Sequence, residues 1–176
     1  MRERIATSGS FNWEKPENMV AIEPFNPERH WGGSLALLHL EIRHWQQTRG
    51  KKCFADIMDT QAELRDIETA YIESGGQFFV ATCPRGETVG LVGLQKTEDA
   101  AILKILDVAP NFRDQGLDDR LLILAVNWSR QQQCSTIRLA TGCEENDWTI
   151  YRRYGFKKDS LSAGSAEPVI EMDLSR

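Results

Sequence analysis

The chain has 176 residues, 41% of them hydrophobic and 27% charged, which predicts one globular, water-soluble domain with enough chain for a hydrophobic core. The formal net charge of −5 provides no basic surface for nucleic acid, and the apolar runs are far shorter than the ~20 residues of a membrane helix. The start of the chain mixes both charge signs and lacks the apolar block of a secretory signal. We therefore expect a cytoplasmic protein whose partners include neither nucleic acid nor a membrane.

A flexible arm and a short strand are predicted to precede the first helices. Residues 1–18 are polar and aperiodic, so we divide the chain into a flexible N-terminal arm at 1–18 and one domain at 19–176. In 20–25 apolar positions alternate with others before Asn26-Pro27, which is typical of a strand closed by a turn.

Two amphipathic helices are expected next. The first has apolar residues at spacings of three and four, namely Leu35, Leu38, Ile42 and Trp45. Thr60 and Glu63 have the spacing of a capping box for the second helix. The predicted inner face of that helix consists of Leu64, Ile67 and Tyr71.

The pattern then changes to short β-rich runs. We predict three neighbouring strands at 77–82, 88–94 and 102–108. A helix from Leu117 to Trp128 and a strand at 136–140 follow, as in a βαβ unit. A short helix around 148–154 and a last strand at 170–174 complete the predicted elements.

The cysteines and histidines form neither a disulfide framework nor a metal-binding pattern. The four cysteines are widely spaced without a C-x-x-C pair, and they are Cys53, Cys83, Cys134 and Cys143. Of the three histidines His30, His39 and His44, the last two lie on different faces of the predicted first helix. No carboxylate completes a ligand set with them, so we expect reduced thiols and no metal.

One strand-to-helix junction has the features of an anion site. The run from Leu106 to Leu117 passes from a predicted strand through a turn into a helix, with Gly116 just before the helix. The first turn of a helix leaves backbone N–H groups without partners, and the helix dipole favours a phosphate there. An ordinary glycine-containing turn would have the same sequence, so the junction alone leaves both interpretations open.

Two motifs in this part of the chain resemble those of a known superfamily. The signature V-x-P-x-[FY]-[RQ]-x-x-G-x-[GA] is matched, as far as its Gly, by Val108, Pro110, Phe112, Arg113 and Gly116. The segment 150–156, IYRRYGF, resembles a second signature, [LIF]-Y-x-x-x-G-F. The chain therefore resembles the GNAT superfamily of acyl-CoA-dependent N-acyltransferases. The resemblance implies a single-domain α/β fold with a central twisted sheet, mixed and mostly antiparallel, and helices on both faces.

The same resemblance implies an activity. The chain would be an N-acetyltransferase that moves an acetyl group from acetyl-CoA directly to a primary amine of a small molecule, amino acid or peptide. Acetyl-CoA is then the acyl-donor substrate, and no metal takes part. The residues that the resemblance assigns to acyl-CoA binding are Leu106, Val108, Arg113, Asp114, Gln115, Gly116, Leu117 and Asp118. A homodimer is compatible with the resemblance.

Two side chains are candidates for proton transfer. Tyr151 matches the family's frequent general acid, whose hydroxyl protonates the departing thiolate, and its alternative role is packing beside Phe156. Asp107, at the end of a predicted strand, is a candidate base for the amine proton. The alternative for Asp107 is a solvated position on the outer face of the strand.

Acidic residues near the junction depart from the family pattern. Asp118 stands where the signature has Gly or Ala, and an Asp at a helix start tends to cap the N–H groups that a pyrophosphate would use. From Asp107 to Arg120 the chain has four acidic and two basic residues, which disfavours an anion. A second interpretation therefore stays open, a degenerate GNAT domain that binds a ligand or a protein without transferring acyl groups.

Overall fold

One seven-stranded sheet organises the part of the chain that the computed structural model describes, which is residues 19–34, 62–113, 115–139, 149–158 and 169–175. Its strands are β1 (Ala21–Pro24), β2 (Gln77–Thr82), β3 (Thr88–Lys96), β4 (Ala100–Val108), β5 (Thr136–Leu139), β6 (Lys157–Lys158) and β7 (Ile170–Asp173). Their order across the sheet is β1-β2-β3-β4-β5-β7-β6. The β4–β5 pair is parallel and the others are antiparallel, so the predicted mixed, mostly antiparallel sheet is confirmed.

Four of the helical segments within the same ranges are labelled α1 to α4. They are α1 (27–34), α2 (Glu68–Glu73), α3 (Leu117–Gln131) and α4 (Thr149–Arg153). The α2 segment has π-helical winding, with the Gly76 N–H donating to the Tyr71 carbonyl at 2.8 Å. The predicted flexible arm, the apolar positions at 35–45 and Thr60 of the predicted capping box lie outside the described residues.

The first helix begins earlier than the apolar spacing predicted. Asn26 Oδ1 accepts the backbone N–H of Arg29 at 3.2 Å, and Pro27 follows Asn26 at the first helical position. Asn26-Pro27 therefore caps α1, two residues after the end of β1 at Pro24. The sequence prediction treated the pair as a turn only, because proline and asparagine are common in both settings.

The strands predicted after α2 are neighbours, as expected. β2 has the predicted bounds, while β3 extends to Lys96 and β4 begins at Ala100. The tight connection between them explains the longer strands, because the Thr97 hydroxyl and backbone N–H both bond to the Ala100 carbonyl. α3 then connects the parallel strands β4 and β5, which confirms the predicted βαβ unit.

Two apolar clusters fill the two faces of the sheet. Phe79 and Ala81 of β2 belong to the cluster that α3 covers, whereas Phe78 and Val80 belong to the cluster that Tyr71 and its neighbours cover. This alternation follows from the two-residue period of a strand. The sheet therefore separates an α3 face from an α2 face.

A bulge in β4 follows the last described pair between β4 and β5. Gly93 pairs with Ile105 but Leu94 pairs with Leu103, so Lys104 is an extra residue in β4. The last described pair with β5 joins Leu103 and Leu139, whereas pairing with β3 continues to Val108. In the described residues, segment 104–108 of β4 thus has a strand on one side only.

Candidate active site

The segment 104–108 presents backbone groups on the side of β4 that faces away from β3. The Ala109 N–H donates to the Val89 carbonyl at 2.9 Å, so the backbone groups of Ala109 point to the β3 side. Successive residues of a strand point their N–H and C=O groups to opposite sides. Those of Asp107 therefore point towards β3, and those of Leu106 and Val108 point away from it.

The backbone N–H and the backbone carbonyl of Val108 are both engaged by side chains. The Val108 N–H donates to Asp107 Oδ1 at 2.9 Å, and the Val108 carbonyl accepts a bond from Arg113 Nε at 3.1 Å. Arg113 Nη2 lies 3.9 Å from the same Asp107 oxygen. From the sequence, Arg113 was assigned to acyl-CoA binding, and Asp107 was a candidate base with a solvated position as the alternative. In the structure the Arg113 guanidinium lies against β4, and Asp107 is only 9% exposed. The solvated alternative for Asp107 is therefore wrong.

The turn after β4 leads directly into the N-terminus of α3. A short 3₁₀ helix occupies Pro110–Phe112, and Gln115 Nε2 donates to the Asn111 carbonyl at 2.7 Å. Gly116 has a φ of 75°, in the left-handed region that favours glycine, and stands at the N-cap of α3. Because glycine has no side chain to cap the helix, no side-chain cap among the described residues occupies the first N–H groups of α3. Asp114 lies outside the described residues.

The acidic residues at the start of α3 have different surroundings. Asp118 is half-buried, and its side chain makes no hydrogen bond within the described ranges. Asp119 Oδ1 lies 2.8 Å from Arg153 Nη2 of α4, so a cation distant in sequence balances its charge. Arg120 Nη2 instead donates to the Val20 carbonyl at 3.0 Å. The local charge count made from the sequence overlooked Arg153.

Tyr151 lies on α4, which this ion pair connects to α3. Its ring is 5.6 Å from the Phe156 ring in an edge-to-face arrangement, and it packs against the same apolar cluster as Leu106. The Phe156 N–H donates to the Tyr151 carbonyl, and Gly155 between them has a φ of 95°. The structure thus brings Tyr151 and β4 to one core, and the packing against Phe156 expected as the alternative is also present.

Tyr154, on the turn after α4, faces the start of α3 as well. Burial raises the pKa of the Tyr154 hydroxyl, and a hydrogen bond with Asp119 and the charge of that carboxylate raise it further. Two neighbouring residues, Arg153 and Tyr154, therefore meet Asp119. Nothing in the local sequence pattern indicated this link between the two signature motifs.

The match to a family model agrees with this arrangement. A model described as acetyltransferase (GNAT) domain matches residues 74–158, which include β2 to β6, α3 and α4. Residues 74–158 are thus similar to the GNAT acetyltransferase family. Curated relatives of this chain include a probable N-acetyltransferase camello from Xenopus tropicalis, 30% identical over 56% of this chain and 47% of that protein. N-acetyltransferase family 8 member 2 from Rattus norvegicus is 29% identical over 70% of this chain and 56% of that protein.

The chain thus spans about half the length of these curated relatives. Solved structures share the GNAT fold over a larger part. A GNAT-family acetyltransferase from Staphylococcus aureus Mu50 has a TM-score of 0.73 at 19% identity, covering 89% of this chain and 100% of its own. The PaiA N-acetyltransferase from Thermoplasma acidophilum, solved in complex with coenzyme A, has a TM-score of 0.70 at 13% identity, covering 88% and 99%.

A polar cluster on the α2 face of this GNAT domain was not predicted as a unit. Glu63 accepts a hydrogen bond from the Tyr71 hydroxyl at 2.8 Å and pairs with Lys104 Nζ at 2.8 Å. Tyr71 is fully buried, and burial together with the Glu63 carboxylate holds its pKa well above the ordinary range. The sequence signal for this cluster was a lysine in the middle of a largely apolar strand, since the bulge that places Lys104 leaves no local pattern.

His30 has a structural role in the described part of the GNAT domain. Its Nδ1 accepts the Asn26 N–H at 2.9 Å, which leaves the proton on Nε2, 3.1 Å from Glu23 Oε1.

Within the described ranges no three metal-binding side chains are grouped, and Cys83 and Cys134 are buried free thiols. His39, His44, Cys53 and Cys143 lie outside those ranges. None of the helices described is both long and apolar enough to cross a membrane.

Proposed function

We propose that this GNAT domain transfers an acetyl group from acetyl-CoA to a primary amine of a small molecule, amino acid or peptide. The observation that carries the proposal is the segment 104–108 of β4, which has no partner on its β5 side among the described residues and continues through a glycine turn into the N-terminus of α3. An extended, amide-containing arm suits the strand edge, and a pyrophosphate suits the helix end.

The acyl donor would lie along both features. Leu106 offers a backbone N–H and C=O to the pantetheine arm, and Gly116 with the first residues of α3 offers N–H groups to the phosphates. A β-carbon built on Gly116 meets no atom within 4 Å, so this side of the turn has room for a ligand. The complex of coenzyme A with the Thermoplasma acidophilum relative supports this choice of donor.

The proposed chemistry is direct transfer. The neutral amine attacks the thioester carbon, a C–N bond forms and the C–S bond breaks, and coenzyme A leaves as a thiolate. The Tyr151 hydroxyl would protonate this thiolate, and the proton lost by the amine would pass to a base or to water. Tyr151 packs against the same apolar cluster as Leu106, and the reacting thioester would lie beside Leu106. This packing supports the proposed role for Tyr151.

Asp118 favours the second candidate function, a GNAT domain that binds without acyl transfer. A carboxylate at the second position of α3 repels a phosphate, and a penalty of about 1.4 kcal/mol would weaken binding about tenfold. The pairing of Asp119 with Arg153 removes part of the negative field that the sequence suggested. We therefore favour the enzyme, with weakened rather than abolished donor binding.

Calorimetric titration with acetyl-CoA tests this proposal. We would compare the wild type with Asp118→Gly, which restores the signature, and with Asp118→Asn, which removes only the charge. Micromolar binding by the wild type, followed by release of free thiol in the presence of an amine, would support the enzyme. Binding without thiol release for any of a broad amine panel would support the binding module. Absence of binding by all three proteins would exclude the coenzyme A site.

A further inference from the structure

Asp107 is the candidate base by position, but its contacts assign it another task. One carboxylate oxygen accepts the backbone N–H of the next residue, Val108, at 2.9 Å, and this hydrogen bond is buried. The same oxygen faces the guanidinium of Arg113 at 3.9 Å. Arg113 in turn holds the Val108 carbonyl through Nε at 3.1 Å. Asp107 and Arg113 together form a clamp on Val108, which we call the Val108 clamp.

The clamp acts on the side of β4 that faces away from β3. The last described pair of β4 with β5 joins Leu103 and Leu139, and beyond it no strand among the described residues pairs with β4 on that side. Asp107 and Arg113 engage the N–H and C=O of Val108 there. Among the described strands, the Leu106 N–H and C=O on that side have no partner, and they are the groups that we assign to the ligand.

We propose that Asp107 is a positioning residue and not the proton acceptor of the reaction, and this proposal rests on the proposed function. With Arg113 it fixes the end of β4, so that acetyl-CoA meets the strand edge at Leu106. The task requires a hydrogen-bond acceptor at the Asp107 Oδ1 position and does not require a titratable group. An asparagine can therefore perform it, whereas an asparagine cannot serve as a general base.

This difference defines the test. Asp107→Asn keeps an acceptor oxygen and should retain kcat within about threefold, while loss of a general base costs about 10²–10⁴-fold. Asp107→Ala removes the acceptor and should raise the KM for acetyl-CoA about 3–10-fold, the range of one hydrogen bond, with little change in kcat. Arg113→Ala should raise the same KM. A collapse of kcat in Asp107→Asn, or tighter acetyl-CoA binding by Asp107→Ala, would overturn the proposal.

A second measurement does not depend on enzyme activity. Amide hydrogen exchange at Val108, followed by NMR, should stay slow in the wild type and in Asp107→Asn and become faster in Asp107→Ala. Rapid exchange in the wild type would refute the clamp even if the enzyme is active. If the wild type neither binds nor cleaves acetyl-CoA, the proposed function fails, and the exchange rates still decide whether the clamp exists.

Discussion

The contact between Asp119 and α4 predicts that two adjacent aspartates contribute differently to stability. Asp118 and Asp119 both lie in the first turn of α3, but only Asp119 has a contact with α4, at 2.8 Å from Arg153 Nη2. Replacing each with alanine therefore isolates the link between the helices. Alanine has the higher helix propensity at both positions, so the comparison rests on the difference between the two variants.

The size of this difference follows from exposure and geometry. An aspartate in the first turn of a helix gains about 0.3–1 kcal/mol from the helix dipole, and both variants lose this contribution. The side chains of Arg153 and Asp119 are 59% and 29% exposed, so their ion pair is a surface pair. Such a pair contributes about 0.3–1 kcal/mol to the free energy of unfolding. We expect Asp119→Ala to be less stable than Asp118→Ala by about that amount.

Urea unfolding at low and high salt is the assay. A double-mutant cycle with Asp119→Ala and Arg153→Ala should give a coupling free energy of about 0.3–1 kcal/mol at low salt and a smaller one at high salt. Hydrogen exchange in 149–156 should accelerate in Asp119→Ala and stay unchanged in Asp118→Ala. Equal stability losses in the two aspartate variants, with no coupling in the cycle, would refute the reasoning.

Three further predictions concern the site and its support. Tyr151→Phe should lower kcat at least about a hundredfold without changing the Kd for acetyl-CoA, and an unchanged kcat would exclude Tyr151 as the acid. Gly116→Ala should lower the free energy of unfolding by about 1 kcal/mol, because its φ of 75° disfavours a side chain, and calorimetry should show weaker acetyl-CoA binding. Tyr71→Phe should cost about 1–3 kcal/mol in urea unfolding, since Glu63 loses a bond at 2.8 Å, whereas an unchanged midpoint would show that water replaces the hydroxyl.

The order of strands and helices could be predicted because it depends on local periodicity. The bounds of β2 match the alternation in 77–82, and α3 begins at Leu117, directly after the glycine turn, as expected. The parallel pairing of β4 with β5 follows from the helix between them. These features are repeated over several residues, so a single unusual side chain does not obscure them.

The details of the site could not be predicted because they are single contacts. The bulge at Lys104 adds one residue to β4 and has no compositional signal. Arg113 belongs to the signature by spacing, yet its side chain turns back to the Val108 carbonyl. Arg153 reaches Asp119 from 34 positions away, so no local window includes both. These charges meet only in the folded chain.

The short rim strand β1 also bears on aggregation. Unpaired backbone at the rim of a sheet invites pairing with another protein chain. At this rim β1 has only four residues, and it ends at Pro24, which has no backbone N–H to donate. The rim at β1 thus offers a neighbouring molecule few backbone groups on which to add a strand.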